Sequence, residues 1–344
     1  MKEYFPQIVG NEALRRTLGP ELACGRFSHA YILGGVRGSG KHTLAREIAM
    51  AASCEQRDKD GVPLPCGECR SCRKIREGLS PDVITVSREE DKATLGVEVI
   101  REMRSSVAVV PNDLEVKFYI IEDAHTMTQA AQNALLLTLE EPPPFVCFLL
   151  LAEDTDALLE TVRSRAPIHR MRPIEREALS RYIQGTPAGA ALMENSPEEF
   201  LELLLLSRGW IGEAERLLDP KKREPQLQRR RFAAQTVELL CTGARSAVLE
   251  ALLARSGERN KESFVADILT LEEALRDLLL LSRTEEAPLI FYTNREDATD
   301  LSARFTTAKL LTLLAVLENA KESLAANANL KLTATRLASR MLAP

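Results

Sequence analysis

Two groups of residues in the first 125 positions have the types and spacing to do chemistry. Cys66, Cys69 and Cys72 stand at CxxCxxC spacing, and eleven residues separate Cys54 from Cys66. Two-residue gaps turn successive thiolates inward on one tight loop, and a fourth from a preceding helix end completes a tetrahedral site for zinc. Iron-sulfur clusters also take four thiolates, but such runs usually continue with a further cysteine and often a proline, and neither follows Cys72. Four cysteines leave no coordination position open for a substrate, so the zinc is predicted to be structural. Four reduced, unliganded thiols are the alternative. The site carries formal charge -2, which Arg57, Arg70, Arg73 and Lys74 are close enough in sequence to offset.

The second group begins with Gly35-Val-Arg-Gly38-Ser-Gly40-Lys41-His42-Thr43, between the apolar run Ala30–Leu33 and a helix-forming segment. Strand, glycine-rich loop and helix in that order make a phosphate loop of the Walker A type. Backbone N–H groups cradle the phosphates there, and Lys41 supplies charge. The residue after the lysine should be Ser or Thr, whose hydroxyl holds magnesium. Here it is His42, with Thr43 one place late, so metal coordination is not expected to be normal. Glu122 and Asp123 close a later apolar run, where a magnesium ligand and a water-activating base sit beside a phosphate loop. Active sites of this kind usually carry Asp then Glu; the inverted order leaves Asp123 about a methylene short, a displacement that can cost about 100-fold in rate. A solvated strand end is the alternative for that pair, and a ligand-free turn the alternative for the loop.

These residues need elements to hold them. The runs Ala30–Leu33, Val83–Val86, Phe118–Ile121 and Val146–Leu151 alternate with helix-like stretches, which predicts a parallel α/β sheet up to about residue 170. Beyond Pro173, apolar residues recur at helical spacing, as in Glu198–Leu206 and Phe264–Leu281, and the second half is predicted to be helical. The stretch Asp219–Arg231, with two prolines and six basic residues, is predicted to be an exposed connection and a domain boundary. The length of 344 residues accommodates two or three domains. A net charge of -5 argues against coating nucleic acid by bulk charge, which needs a basic face. No apolar run reaches the roughly 18 residues that span a bilayer, and the N-terminus lacks a signal-peptide layout, so a cytoplasmic protein is expected. Cys24, Cys147 and Cys241 are expected to be small buried hydrophobes.

Taken together, Phe5–Asn11, Ser28–Tyr31, the phosphate loop, Asn133–Pro143 and Ser164-Arg165 resemble the AAA+ subunits of the bacterial DNA polymerase III clamp loader. Cys66–Cys72, Ser80-Pro-Asp82 and Thr94–Glu102 resemble the delta-prime branch of that family more than the gamma/tau motor subunits. The resemblance implies an AAA+ RecA-like α/β domain at residues 1–172 carrying the zinc module at 54–72. It further implies a small helical lid at 173–220 and an all-α collar domain at 221–344, closed by a helix after Asn327-Ala-Asn329-Leu330. It brings Val9 and Gly10 into a degenerate nucleotide site with Gly35, Gly38, Gly40, Lys41, Thr43, Glu122 and Asp123. ATP is expected to bind there, if at all, without being hydrolysed. Glu153-Asp154 stand where motor subunits carry a phosphate-sensing Thr or Asn, and Gly212 stands where the lid carries a sensing arginine. Phosphoryl transfer depends on positioned charge, so these departures imply no intrinsic ATPase. Arg165 matches the arginine that reaches the ATP site of a neighbouring subunit. The implied partners are gamma/tau and delta subunits in a pentamer, the sliding clamp, and primer-template DNA through the assembly, with no membrane. An active gamma/tau-type ATPase and a zinc-dependent nucleic-acid-binding protein are the competing expectations.

Overall fold

The computed structural model describes residues 2–89, 92–258, 260–284 and 286–342. Five strands form one all-parallel sheet: β1 (Ala30–Gly34), β2 (Val83–Val86), β3 (Lys117–Ile121), β4 (Val146–Ala152) and β5 (Ile168–Arg170). Their order is β2-β3-β4-β1-β5, with Ala30 opposite Phe148 and Tyr119 also opposite Phe148. Strands buried on both faces read as continuous apolar runs, as AYILG and VCFLLLA do.

The alternation of side chains splits the core between the two faces. Tyr31, Leu33, Phe118, Ile120, Leu149 and Leu151 pack with α1 (Glu12–Ala23), α2 (Lys41–Ala52) and α3 (Arg70–Arg76). Ile32, Tyr119, Ile121, Phe148 and Leu150 pack on the other face with α4 (Val97–Val107), α5 (Gln129–Glu140) and the single turn α6 (Glu160–Arg163). The Ser-Pro-Asp motif serves this layer structure. The fully buried Asp82 carboxylate accepts from the backbone N–H groups of Asn112, Asp113 and Leu114 at 2.8, 2.6 and 2.9 Å, pinning the loop that enters β3.

The remaining helices are α7 (Arg176–Gln184), α8 (Pro187–Asn195), α9 (Pro197–Leu206), α10 (Ile211–Leu217), α11 (Pro220–Thr242), α12 (Arg245–Glu258), α13 (Lys261–Leu281), α14 (Arg295–Ser302), α15 (Thr307–Ala325) and α16 (Leu330–Met341). Two compact units result, one of residues 1–190 with 209–215 and the other of 191–208 with 216–344. The 173–220 segment is thus shared between them. Every element described in the second unit is a helix, with Phe264, Leu271, Leu275, Leu313, Leu317 and Leu337 in its core. Asn329 caps the last helix, its Oδ1 accepting from Leu332 N at 3.2 Å. Parallel sheet, covering helices and helical C-terminal region together are the α/β-plus-helical architecture expected from the sequence.

Two expectations are corrected and one strand is added. Asp219–Arg231 is not an exposed connection: α11 runs through it for 23 residues. Asp219 caps the helix, Pro220 takes the first position, where no intrahelical N–H bond is lost, and Arg223, Leu227 and Phe232 are buried. Only Pro225 costs an interior bond. Cys24 is exposed, at the end of α1, and Cys241 is only partly buried; Cys147 alone of the three is the buried hydrophobe expected. The short β5, three residues with no full burial, is an addition to the four strands legible in the sequence.

Candidate functional site

The carboxyl ends of the parallel strands meet a cavity of about 1130 Å³ within the first unit. The phosphate loop after β1 forms one wall. Gly38 and Gly40 hold φ of +76° and +91°, backbone that side chains rarely adopt, and so aim the loop into the start of α2. Of the predicted residues, Val9, Gly38, Gly40, Lys41, Thr43, Glu122 and Asp123 line this cavity together. Gly10 and Gly35 support it from behind. A Cβ on Gly10 would meet Ile174 Cγ2 at 2.6 Å, and one on Gly35 would meet Ser39 Oγ at 2.5 Å.

Lys41 is folded back on its own loop, donating to the carbonyls of Gly35 at 2.5 Å and Val36 at 2.9 Å. Burial lowers its pKa, against the pull of Glu153 and Asp123. His42 Nε2 lies in ion-pair contact with the Glu122 carboxylate. Asp123 lies in the left-handed region at φ 46° and faces Arg88 at 3.7 Å. After β4, the Glu153 backbone N–H donates to His125 Nδ1 at 3.3 Å, and Asp154 caps the amide of Asp156.

Gly212 does more than lack an arginine. Its N–H donates to Gly38 O at 3.0 Å, and a Cβ on it would meet Gly38 Cα at 2.8 Å. The backbone of α10 therefore rests directly on the phosphate loop. Sequence reasoning missed Arg37, Arg88, Trp210 and Tyr182, which also line the cavity. Only their place near quoted motifs could have flagged them. Asn11 ties the N-terminal segment to the end of β5, accepting from Arg172 N at 2.7 Å and donating to its O at 3.1 Å.

Arg165 is not among the residues lining that cavity. It follows α6, its guanidinium donating to Glu140 at 2.8 Å and to Thr161 O at 3.0 Å, with about a third of its side chain exposed.

The four cysteines converge as their spacing predicts. Their sulfurs all lie within 4.8 Å of one another, where a tetrahedron at a metal–sulfur distance of about 2.3 Å has edges of roughly 3.8 Å. Cys66 and Cys72 Sγ are 4.0 Å apart. Cys69 N donates to Cys66 Sγ and Cys72 N to Cys69 Sγ, both at 3.4 Å, the turn that CxxC spacing makes. A hydrogen bond from Cys72 pulls the Cys54 pKa down to about 5 and pushes that of Cys72 up. Burial raises that of Cys66. This donor set fits a metal ion held by thiolates alone. Of the four basic residues near the cluster in sequence, Lys74 pairs with Asp113 at 2.7 Å, and Arg57 donates to Ala52 O at 3.1 Å. The sulfurs of Cys66 and Cys69 each accept from a backbone N–H group.

Residues 10–175 match a family model described as DNA polymerase III, delta subunit. The gamma subunit of DNA polymerase III from Buchnera aphidicola subsp. Acyrthosiphon pisum is 33% identical over 183 residues, 53% of this chain and 49% of that protein. The tau subunit from Bacillus subtilis is 36% identical over 175 residues, 51% of this chain and 30% of that protein. The chain thus spans half or less of the length of these curated relatives. A solved gamma subunit-related protein from Thermotoga maritima shares 18% identity over 94% of this chain and 98% of its own, with a TM-score of 0.36. No helix among the described residues is long and apolar enough to cross a membrane. Residues 10–175, just under half of the chain, are thus similar to the DNA polymerase III delta-subunit family and to curated gamma and tau subunits of DNA polymerase III.

Proposed function

We propose that this chain is a delta-prime-like clamp-loader subunit: a scaffold that turns over no ATP of its own and supplies Arg165 to the ATP site of a neighbouring subunit. The observation that carries the reading is the pairing of His42 with Glu122, which engages the two positions a magnesium ion needs. Arg165 supports the second half, since it lies outside its own cleft with its guanidinium partly exposed and steadied by Glu140. Its proposed partners are gamma/tau and delta subunits in a cytoplasmic pentamer that places the sliding clamp on primer-template DNA. Residues 1–172, 173–220 and 221–344 are proposed as AAA+, lid and collar domains. The four cysteines are proposed to hold a structural zinc ion, binding it as thiolates and leaving it no open position.

Reconstitution with gamma/tau and delta subunits tests this. An arginine supplied in trans can contribute a factor on the order of 1,000 or more. Arg165→Ala is expected to lower clamp-stimulated ATPase at the adjacent site by at least about tenfold, with assembly intact on a sizing column. Unchanged ATPase overturns the reading. A gamma/tau-type ATPase is the second reading, favoured by the retained Lys41 and glycine loop and by the names of the curated relatives. It predicts that the purified chain hydrolyses ATP and loses that activity on Lys41→Ala.

A further inference from the structure

A phosphate-loop site normally couples its nucleotide to a magnesium ion, held by the hydroxyl after the loop lysine and by an acidic residue ending the neighbouring strand. The residues here do not fit that ion. The hydroxyl position carries an imidazole, and the acidic position, Glu122, is engaged by that same imidazole through Nε2. Thr43, one residue on, is displaced by about 100° around α2. The other acidic residue, Asp123, is turned toward Arg88 by its left-handed backbone.

The anion-binding half of the cleft is nevertheless whole. Gly38 and Gly40 keep the positive φ values that turn backbone N–H groups inward, and the first turn of α2 faces the cavity. Ser39, in the middle of the loop, is 8% exposed, lines the cavity, and its Oγ has no hydrogen-bond partner. A buried hydroxyl left unpartnered costs about 1–3 kcal/mol, which an entering acceptor oxygen relieves. Lys41, lowered in pKa by burial, holds two neutral carbonyls that a phosphate oxygen outcompetes as a charged acceptor. Arg37 lines the same wall.

We propose that this cleft binds a nucleoside triphosphate without magnesium, the His42–Glu122 pair bridging loop and strand end where the metal would stand. The triphosphate charge is met by Lys41, the loop amides, Ser39 and Arg37. The inference rests on the reading above for the class of ligand only. The Arg165 experiment addresses a different site, so either can fail alone.

Calorimetric titration of ATP into the full chain, in magnesium and again in EDTA, tests it. The two dissociation constants are expected to agree within about twofold, and Lys41→Ala is expected to weaken both at least tenfold. His42→Thr restores the hydroxyl and releases Glu122, so its affinity is expected to fall tenfold or more when magnesium is replaced by EDTA. Tenfold weaker wild-type binding in EDTA overturns the proposal, as does absence of binding in both buffers at millimolar ATP. The wild-type comparison decides even if His42→Thr does not fold. A folded His42→Thr indifferent to magnesium also counts against it.

Discussion

Replacing Glu47 with glutamine should remove a pH dependence of stability that the wild-type chain carries across the physiological range. Glu47 lies on α2, six residues beyond the phosphate-loop lysine, and is 1% exposed. Burial raises its pKa from the ordinary 4.5 to about 7, opposed by a hydrogen bond from the Gln7 backbone and by the charges of Arg15 and Arg76. One carboxylate oxygen, Oε2, has no partner. The folded chain therefore holds a proton that the unfolded chain releases at lower pH.

Stability from a raised carboxyl is fully present below pH 4.5, declines as pH rises through 7, and is gone above that. At about 1.4 kcal/mol per unit of pH, the loss comes to roughly 3 kcal/mol. Glu47→Gln keeps an acceptor for Gln7 and cannot ionise, so its stability should be flat over the same interval. The two proteins should unfold alike near pH 4.5 and differ by roughly 3 kcal/mol at pH 8, the variant being more stable. Trp210 is the one tryptophan, lies in the first unit and lines the cleft, so its fluorescence in urea follows that unit alone. Parallel stability profiles for the two proteins between pH 5 and 8 would refute the reasoning.

Asp82→Ala strands three backbone N–H groups, each bond to a charged acceptor being worth about 1.5–3 kcal/mol. A loss of at least about 3 kcal/mol in the first unit is expected, measured by the same fluorescence. Asp277 makes the same motif in the second unit, accepting from Ile290, Phe291 and Tyr292 at 2.9, 2.7 and 3.2 Å; Asp277→Ala should lower protection of amides in α13 and α14 from hydrogen exchange and leave Trp210 unchanged. Gly212→Arg, which supplies the missing sensor residue, should create no ATPase and should instead destabilise the first unit by about 1–3 kcal/mol, because a Cβ there meets Gly38 Cα at 2.8 Å. Metal analysis should give one zinc per chain, and Cys69→Ser or prolonged chelation should lower the melting temperature of the first unit by several degrees; a zinc content below half an equivalent would defeat the metal assignment.

What the sequence disclosed follows physical lines. Strands β1 to β4 were legible because burial makes them continuous apolar runs, whereas β5 is two partly buried residues, Ile168 and His169, and the exposed Arg170. The cysteine cluster was legible because its chemistry is local: spacing alone brings the thiols together. Glu47 was not, since a glutamate on a helix reads as solvated until the sheet and Gln7 close over it. The pairing of His42 with Glu122 joins residues 80 positions apart through strand order, and Arg88 reaches Asp123 by the same route. Asp219–Arg231 was misread because prolines and charges mark a connection only where no cap and no buried face recruit them into a helix.

Gly212 bears hardest on how a cleft of this kind departs from hydrolysis. Read as sequence, it is a deletion of one guanidinium, which a single substitution could restore. In the fold its amide is bonded to Gly38 and its Cα lies against the loop backbone, so no side chain fits without moving α10 or the phosphate loop. The His42–Glu122 pair is likewise a replacement rather than a gap, a side-chain contact filling the space between loop and strand. On the proposed reading, restoring turnover takes both a hydroxyl at 42 and a backbone shift at 212. His42→Thr alone should recover magnesium-dependent binding and still leave hydrolysis by the purified chain at background.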